Sequence, residues 1–449
     1  MLGGRGACRA TARHLHDKGV YMVRRARDVY TEWRGGTCRV KWWTGEYHDD
    51  GRKRFESKGG FLDEDEAYNH GLDKMAEIRQ GTSVSNRDGA TLMSDWLDDW
   101  LAGMDHAHLT ERGYRSAIEN HIRPYFKKRN TAVKDVDVLA YRAFRKHVNN
   151  VLGEGSAKNV MMVFGMVLDD AVPRLLKISP VERTRRRGKF KKKAKERKKD
   201  VTPEAVEQLA RNARTYFGPA GYAFMWTMAM TGMRPAELYG LTREYCYPNW
   251  PGSDPRPDTD EADRYEEDVE RYGKGGERMP AIRVERQVQY ADGELRFFPP
   301  KYESNRTLVV PAFLGEMLEE LLDSHDSRWV FPAIQGGSLG AVNFDYKYWR
   351  PIADGAEERK SRSPRWDRAA MPEVPSFKGR RLYLLRHGAK AWLDEDGHSK
   401  FAVESRMGHE VPGVEGVYSS VTVPMERAIM KSLQERWEAL QERLRRAES

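Results

Sequence analysis

A strongly basic run divides the chain and constrains its architecture more than any other feature. From Glu182 to Lys199 the sequence reads ERTRRRGKFKKKAKERKK, in which 12 lysines and arginines face two glutamates for a net charge of +10. Like charges at this density repel one another, and only Phe190 offers apolar surface, so the run cannot form a packed core. We therefore predict an extended basic linker over residues 182–200, with folded domains on either side.

The charge of the basic linker indicates a polyanionic partner. The formal charge of the whole chain is +9, so the excess positive charge is concentrated in this run. The side chains that we expect to contact the polyanion are Arg185, Arg186, Arg187, Lys191, Lys192 and Lys193. A solvated linker or a basic localisation signal would have the same composition, and charge alone leaves these alternatives open.

The remaining composition is that of a folded, multi-domain protein. A chain of 449 residues allows about two to four domains, and 39% hydrophobic residues exclude wholesale disorder. The longest apolar run, Tyr222 to Met230, is interrupted by Thr227 and falls short of the ~20 residues that a membrane span requires. No secretory signal is visible, and Cys8, Cys38 and Cys246 lack metal-ligand spacing. We expect no membrane partner and a reducing, cytoplasmic environment.

Residues 1–88 have the pattern of a small β-sheet module that follows an N-terminal extension. Two β-prone runs, Val29–Arg34 and Thr37–Trp43, flank the hairpin signal Gly35-Gly36, and a third run spans Arg52–Ser57. A helix is predicted over Leu62–Ile78. We therefore expect a three-stranded sheet backed by one helix.

One face of this sheet is predicted to be basic. Side chains alternate along a strand, which places Arg39 and Lys41 opposite the apolar residues of the same strand. Three more cations lie on the adjacent strand: Arg52, Lys53 and Arg54. Either this face enters a nucleic-acid groove or it is an ordinary solvated sheet face, and the sequence leaves both alternatives open.

Helical patterns dominate the rest of the chain. Residues 89–181 carry apolar side chains at helical spacing, beginning with Trp96, Leu97, Trp100 and Leu101, and predict an all-α domain. After the linker, Thr202-Pro203 is a helix start. Residues 201–423 predict a mainly α domain with small β elements and an exposed acidic insertion over 249–277.

The last segment, residues 424–449, is predicted to be a charged helix with one apolar stripe. The stripe consists of Ile429, Leu433, Trp437, Leu440 and Leu444. This helix either packs on its own domain or docks on a neighbouring protomer.

The mainly α region, residues 201–423, contains several short segments whose residues carry chemistry. It lacks phosphate-loop, HExxH and zinc-cysteine patterns, so we predict no cofactor and no metal. Thr231 to Leu238 reads TGMRPAEL, which places Arg234 at a helix start and Glu237 one turn later, within reach of the guanidinium. Lys301 precedes a β-rich segment, and we predict that it lies in a β-hairpin.

Two further segments complete the set. Tyr383 lies three residues before Arg386, and His387 follows directly. The sequence Met407-Gly-His409 comes next, and Tyr418 follows that histidine by nine residues. Taken singly, each residue has an ordinary structural explanation, such as a surface ion pair or a satisfied buried histidine. Their order and spacing together favour a shared function.

In this order the segments resemble the tyrosine recombinase family, specifically phage-type and mobile-element integrases. Its TGxRxxE box is matched by Thr231–Glu237, and its β-hairpin lysine by Lys301. Its HxLRH box is matched, with one departure, by Tyr383–His387. Its (L/M)GH motif and the tyrosine nine residues later are matched by His409 and Tyr418.

The resemblance covers roughly residue 91 to the C-terminus and implies a DNA strand-exchange enzyme. It implies an arm-type DNA-binding module over 1–88, a helical core-binding domain over 89–181 and a tyrosine recombinase catalytic fold over 201–423. The implied function is site-specific recombination that integrates or excises a phage or mobile element, in a bacterial cell or phage-infected host. The implied partners are double-stranded DNA attachment sites, three further copies of the chain in a tetramer, and a candidate accessory directionality factor.

The family also implies roles for the matched residues. Arg234 and Arg386 would bind the non-bridging phosphate oxygens, where His409 adds a donor, and Lys301 would protonate the departing 5′-oxygen. Tyr418 would be the nucleophile and form a 3′-phosphotyrosyl intermediate that conserves the bond energy, so that strand exchange needs neither ATP nor metal. The supporting residues are Glu237 and His387.

One position departs from the family pattern. Tyr383 stands where the family usually has a histidine, which is taken to assist proton transfer from the nucleophile. A phenol is a poorer proton acceptor than imidazole near neutral pH. Either Tyr383 serves as a hydrogen-bonding group, or another residue takes the proton. Tyr383 motivates one alternative to the recombinase, a catalytically inert DNA-binding regulator. A second alternative is a type IB topoisomerase-like DNA relaxer, which shares the catalytic set but would not need the arm module.

Overall fold

The structure is a computed structural model, and it describes most of the chain. The described residues are 28–81, 83–182, 201–247, 279–291, 293–334, 336–339, 344–360, 367–409 and 421–449. Two compact units make up the chain, Met1–Phe190 and Lys191–Ser449, and their boundary falls within the predicted basic linker. The linker cations and the acidic insertion lie outside the described residues, so both remain predictions. In the part that is described, no helix is both long enough and apolar enough to cross a bilayer.

The first unit begins with the predicted three-stranded sheet and its helix. The strands are antiparallel in the order β1 (Val29–Arg34), β2 (Thr37–Tyr47) and β3 (Lys53–Phe61), and α1 (Glu64–Arg79) covers one face. Gly35 has a φ of +59° in the first turn, a conformation that glycine adopts without strain. Asp63 caps α1 by accepting a hydrogen bond from the Glu66 N–H. The predicted elements are confirmed, and β2 extends beyond Trp43 because Tyr47 still pairs with Lys53.

The predicted all-α character of the segment after the sheet module is also confirmed, and both belong to the first compact unit. Its helices are α2 (Asn86–Gly89), α3 (Met93–Ala102), α4 (His108–Ala117), α5 (Arg123–Lys127), α6 (Val138–Val151) and α7 (Glu154–Asp170), with a π-helical turn at Ile118–Ile122 between α4 and α5. Phe126, Phe144 and Phe164 form an aromatic centre with ring centroids 4.7–5.3 Å apart. Trp96 and Trp100 fix α3 against α7 by donating to Val167 O and Asp170 Oδ2.

The second unit is mainly helical with two small sheets. Its helices are α8 (Pro203–Thr231), α9 (Pro235–Tyr239), α10 (Ala312–Asp323), α11 (Arg350–Asp354), α12 (Leu384–Glu395), α13 (Lys400–Met407) and α14 (Val423–Glu448). Strands β4 (Cys246–Tyr247), β5 (Ala281–Val284) and β8 (Arg306–Val309) form one sheet, and β6 (Gln287–Ala291) pairs with β7 (Glu294–Phe298). Thr202 caps α8, as its sequence predicts. The central part of the core forms around the second half of α8, from Ala220 to Thr231.

The C-terminal helix α14 packs on its own unit. Ile429, Leu433 and Leu440 are buried in the core of that unit. Trp437 stacks on Phe313 with ring centroids 4.2 Å apart and meets Trp226 edge-on at 4.6 Å. Of the two alternatives for this helix, the structure shows the first, packing of the apolar stripe on its own domain, and docking in trans stays a prediction.

Candidate active site

Arg234 is positioned by a glycine-ended helix and the short helix that follows. Gly232 ends α8 in the left-handed conformation, and Pro235 begins α9, where its missing N–H costs no hydrogen bond. Arg234 is therefore the N-cap of α9, one turn before Glu237. Its backbone N–H donates to Glu237 Oε2 at 2.8 Å and its Nη1 to Oε1 at 2.7 Å. The expected contact between these two residues is present.

Glu237 binds a second buried arginine that the site prediction did not include. Arg306, at the start of β8, donates from Nη2 to Glu237 Oε2 at 2.8 Å and from Nη1 to Oε1 at 3.3 Å. Burial raises the pKa of the Glu237 carboxyl, but Arg306 and Arg234 outweigh burial and bring it below its ordinary value. Glu237 is thus an ionised carboxylate shared by two guanidinium groups.

Arg386 is the most deeply buried cation of the site. It lies on α12 and is only 2% exposed. Its Nη1 donates to Gly232 O, and its Nη2 to Met407 O and, at 3.0 Å, contacts His409 Nε2. Among the described residues no carboxylate lies within salt-bridge distance of it, and burial lowers the pKa of its guanidinium. The charge of Arg386 is therefore less well compensated than that of Arg234.

Two left-handed glycines connect the arginine segments. Gly232 and Gly408 both have a φ of +65°. Gly232 O accepts from Arg386, whereas Gly408 O accepts from Arg234 Nη2 at 3.0 Å. A Cβ on Gly408 would lie 2.9 Å from Ser304 Oγ, and one on Gly232 would lie 2.7 Å from Met407 Sδ. Both positions therefore favour glycine for their conformation, and a Cβ at either one would also displace a neighbouring side chain.

His409 is oriented by a carboxylate. His409 Nδ1 lies 2.7 Å from Glu404 Oε2, and Lys390 Nζ donates to the other oxygen of the same carboxylate. Burial raises the pKa of Glu404, but Lys390 and His409 outweigh it and hold the pKa below its ordinary value. The His409 side chain is 41% exposed, so a ligand can reach it.

The prediction of a β-hairpin around Lys301 is wrong. Lys301 lies in a 3-10 turn, Lys301–Glu303, between β7 and β8, which belong to different sheets. Pro299 and Pro300 lack the N–H groups needed to continue β7, and Tyr302 then turns the chain with a φ of +63°.

The Lys301 turn nevertheless adjoins the arginines. Ser304 Oγ accepts from Arg234 Nη1 at 3.2 Å and donates to Lys301 O at 3.0 Å. Lys301 is exposed, and its Nζ lies 4.8 Å from the ring centroid of Tyr302. Ser304 therefore connects the lysine segment to Arg234 through hydrogen bonds.

Tyr383 and His387 flank Arg386 at the start of α12. The Arg386 guanidinium carbon lies 5.9 Å from the ring centroid of Tyr383, and the Tyr383 and His387 rings are 5.2 Å apart, edge to face. Tyr383 is 37% exposed. Tyr418, the predicted nucleophile, lies outside the described residues, and its role stays a prediction.

The basic sheet face of the first unit is present, but most of its cations have carboxylate neighbours. Arg39 and Lys41 lie opposite the buried side of β2, as the alternation predicts. The ion pairs are Lys41–Glu32 at 3.2 Å, Arg52–Asp50 at 3.5 Å, Lys53–Asp28 at 2.7 Å and Arg54–Glu46 at 2.9 Å. Within the described ranges, Arg39 has no carboxylate at salt-bridge distance. Exposed aromatic side chains share this face, with the Tyr30 and Phe55 rings 5.7 Å apart.

Sequence reasoning missed four polar residues of the second unit. They are Ser304, Arg306, Lys390 and Glu404. Arg306 had one available signal, an arginine that opens a strand five residues after Lys301. Ser304, Lys390 and Glu404 join the site through contacts that no local sequence pattern predicts.

The assembled site is a cationic cluster with too few carboxylates to balance it. Arg234, Arg306 and Arg386 converge on the backbone around Gly408, and Glu237 is the carboxylate within salt-bridge distance of the first two. In the ranges that the structure describes, no group of three or more histidine, cysteine, aspartate or glutamate side chains is arranged to hold a metal ion. Such an arrangement favours an anionic ligand with several oxygen acceptors.

Comparison with known proteins gives similarity in structure. No protein-family model and no curated protein sequence matches the chain. The chain is similar to the integrase of transposon Tn1549 in complex with transposon right end DNA, with 15% identity, a TM-score of 0.49, and coverage of 75% of this chain and 97% of that one. It is similar to lambda integrase in a tetramer bound to a Holliday junction, with 14% identity, a TM-score of 0.45, and coverage of 89% and 99%. The XerA recombinase is also similar, with 12% identity, a TM-score of 0.28, and coverage of 75% and 96%.

Proposed function

We propose that the chain is a site-specific DNA recombinase of the tyrosine type, an integrase that cleaves and rejoins DNA strands. One observation carries the proposal: three buried guanidinium groups, Arg234, Arg306 and Arg386, lie together, and the carboxylate of Glu237 pairs with only the first two. Buried charge without a counter-charge is costly, so the site is built to receive an anion. A phosphodiester has the required charge and the non-bridging oxygens for bidentate contacts.

The proposed reaction assigns each bond to a residue. Arg234 and Arg386 bind the non-bridging oxygens and stabilise the charge that develops on them. The Tyr418 oxygen bonds to phosphorus as the bond from phosphorus to the 5′-oxygen breaks, and Lys301 gives that oxygen a proton. The 5′-hydroxyl of a partner strand then attacks the phosphotyrosine and reverses these steps. A tetramer on two attachment sites would supply that partner strand.

The sheet module is the proposed second DNA contact. Arg39 supports this assignment because it lies on the exposed face of the sheet. Unlike Lys41, it has no carboxylate within salt-bridge distance among the described residues. Arg39→Ala should flatten the slope of log K against log salt for DNA binding by about 0.9, the contribution of one phosphate contact. Arg79→Ala is the matched control, since Arg79 lies exposed at the end of α1, the helix that covers the other face. Equal slopes for the two variants would remove this module from the proposal.

Covalent trapping tests the proposed chemistry. Nicked duplexes that carry sequences from both flanks of the gene would release a short 5′-hydroxyl strand after cleavage, which prevents religation and traps the adduct. The wild-type protein should form a covalent adduct, whereas Tyr418→Phe should form none and keep its affinity for the same duplex, because only one hydroxyl is removed.

The control is Tyr346→Phe, because Tyr346 is 81% exposed in the same unit and should be dispensable for cleavage. An adduct that persists in Tyr418→Phe would assign the nucleophile elsewhere. DNA binding without any adduct would favour the inert regulator. Relaxation of supercoils without joining of two sites would favour the topoisomerase-like alternative.

A further inference from the structure

The departure at Tyr383 leaves the proposed reaction without an assigned acceptor for the nucleophile's proton. His409 and its partners form a chain of hydrogen-bonded titratable groups that reaches the arginine cluster. The chain runs from Lys390 through Glu404 to His409 and ends at Arg386.

The partners of His409 define its tautomer. The pKa of Glu404 lies below its ordinary value, so the carboxylate is ionised at neutral pH and can only accept a hydrogen bond. The proton of the Glu404–His409 contact, 2.7 Å long, therefore resides on His409 Nδ1. Arg386 can only donate, so its Nη2, 3.0 Å from His409 Nε2, points at a lone pair. His409 is thus a neutral imidazole that presents an acceptor to the arginine cluster.

We infer that His409 is the general base of the cleavage step, an inference that rests on the proposed function. As the Tyr418 oxygen bonds to phosphorus, its proton moves to His409 Nε2, while Lys301 transfers a proton to the departing 5′-oxygen. Glu404 stabilises the imidazolium that results, and Lys390 holds Glu404 in place. His409 is the catalytic residue in this scheme, whereas Glu404 and Lys390 are positioning residues.

It follows from the proposal that the base becomes available only when DNA binds. His409 Nε2 has one lone pair, and Arg386 occupies it in the unbound protein. A phosphate oxygen is an ionic acceptor and competes well for a guanidinium N–H. Phosphate binding at Arg386 therefore frees the His409 lone pair at the moment when a proton acceptor is needed.

A fluorinated tyrosine separates this role from simple phosphate binding. His409→Ala should slow single-turnover cleavage of the nicked duplex by about 10²- to 10⁴-fold, the usual contribution of a general base. When a difluorotyrosine replaces Tyr418, its phenol loses its proton more readily, so the loss caused by His409→Ala should shrink at least tenfold. The difluorotyrosine should likewise shrink the loss of cleavage rate caused by Glu404→Gln. If Glu404 had only a structural role, the loss would be the same with tyrosine and with difluorotyrosine.

Two controls make the result specific. Arg234→Ala should keep its full loss with the difluorotyrosine, because binding of phosphate oxygens does not depend on the phenol proton. A duplex with sulfur in place of the bridging 5′-oxygen has a better leaving group, so it should rescue Lys301→Ala but leave the loss in His409→Ala.

The outcomes of these experiments distinguish failure of the general-base role of His409 from failure of the proposed recombinase function. If wild-type protein forms no adduct with any duplex, the proposed function fails and this inference with it. If wild type cleaves but the loss in His409→Ala is the same with tyrosine and difluorotyrosine, the recombinase assignment stands. In that case His409 only donates to the phosphate, and the inference is overturned.

Discussion

Glu237→Gln tests whether one carboxylate holds the arginine cluster together. The Glu237 carboxylate is fully buried and accepts four hydrogen bonds, two from Arg234 and two from Arg306. Glutamine keeps the shape and one acceptor oxygen but turns an NH₂ group toward donors, so about two charge-assisted bonds are lost at ~1.5–3 kcal/mol each. Removing one partner of a buried ion pair costs ~3–5 kcal/mol. We expect the free energy of unfolding of the second unit to fall by about 3–5 kcal/mol.

The pH dependence of this difference follows from the direction of the Glu237 pKa. Burial raises that pKa, but Arg306 and Arg234 bring it below its ordinary value of 4.5. A group whose pKa is lower in the folded state stabilises fully above its unfolded pKa and loses the contribution as pH falls through the folded one. The advantage of wild type over Glu237→Gln should therefore be constant from pH 7 to about pH 5 and shrink below about pH 4.

The assay must report on the two units separately. Urea titration read by hydrogen exchange of peptides from residues 203–239 follows the second unit, and peptides from 93–170 provide a reference in the first. Glu442→Gln on α14 is the matched control, because Glu442 is 47% exposed and pairs with Arg446 on the surface. It should change stability by less than about 1 kcal/mol. A loss below 1 kcal/mol in Glu237→Gln, or a loss that grows as pH falls, would refute the reasoning.

Three further predictions follow from the site. Gly408→Ala should cost about 1–3 kcal/mol of stability and slow cleavage, since it combines a positive φ with a close approach to Ser304; Gly379→Ala, with a φ of +68° and open space around it, should show the backbone cost alone in thermal unfolding. Tyr383→Phe should slow single-turnover cleavage by roughly 10²-fold if the hydroxyl supports Arg386, whereas Tyr383→His should retain activity; a wild-type rate in Tyr383→Phe would reduce this position to packing. Neutralising the six cations named in the basic linker should flatten the salt dependence of DNA binding by up to about 0.9 per phosphate contact, and an unchanged slope by fluorescence anisotropy would mean that the linker is only solvated.

Local contacts of the site could be predicted from sequence, because short-range geometry determines them. Arg234 and Glu237 are three residues apart at a helix start, where side chains at this spacing meet. The helix stripes and the alternation of β2 were equally accessible, since burial follows the periodicity of each element.

Contacts set by chain reversal or by distant segments could not be predicted in the same way. Glu404 reaches His409 because Gly408 ends α13 in the left-handed conformation and turns the chain back, so that His409 N–H also bonds Glu404 O at 3.0 Å. The Lys301 segment looked like a hairpin because β-prone residues follow it. Strand pairing depends on contacts across the whole sheet, however, and β8 pairs with β5 rather than with β7.

The reciprocal carbonyl contacts of Gly232 and Gly408 affect how this protein can evolve and be engineered. Each glycine presents its carbonyl to the arginine of the other segment, across 154 and 174 positions of sequence. Neither the Gly232 segment nor the Gly408 segment can therefore be exchanged alone. A chimaera that takes residues 231–238 from a homologue would misplace its arginine unless 383–409 came from the same parent, so the two segments form a single unit of inheritance.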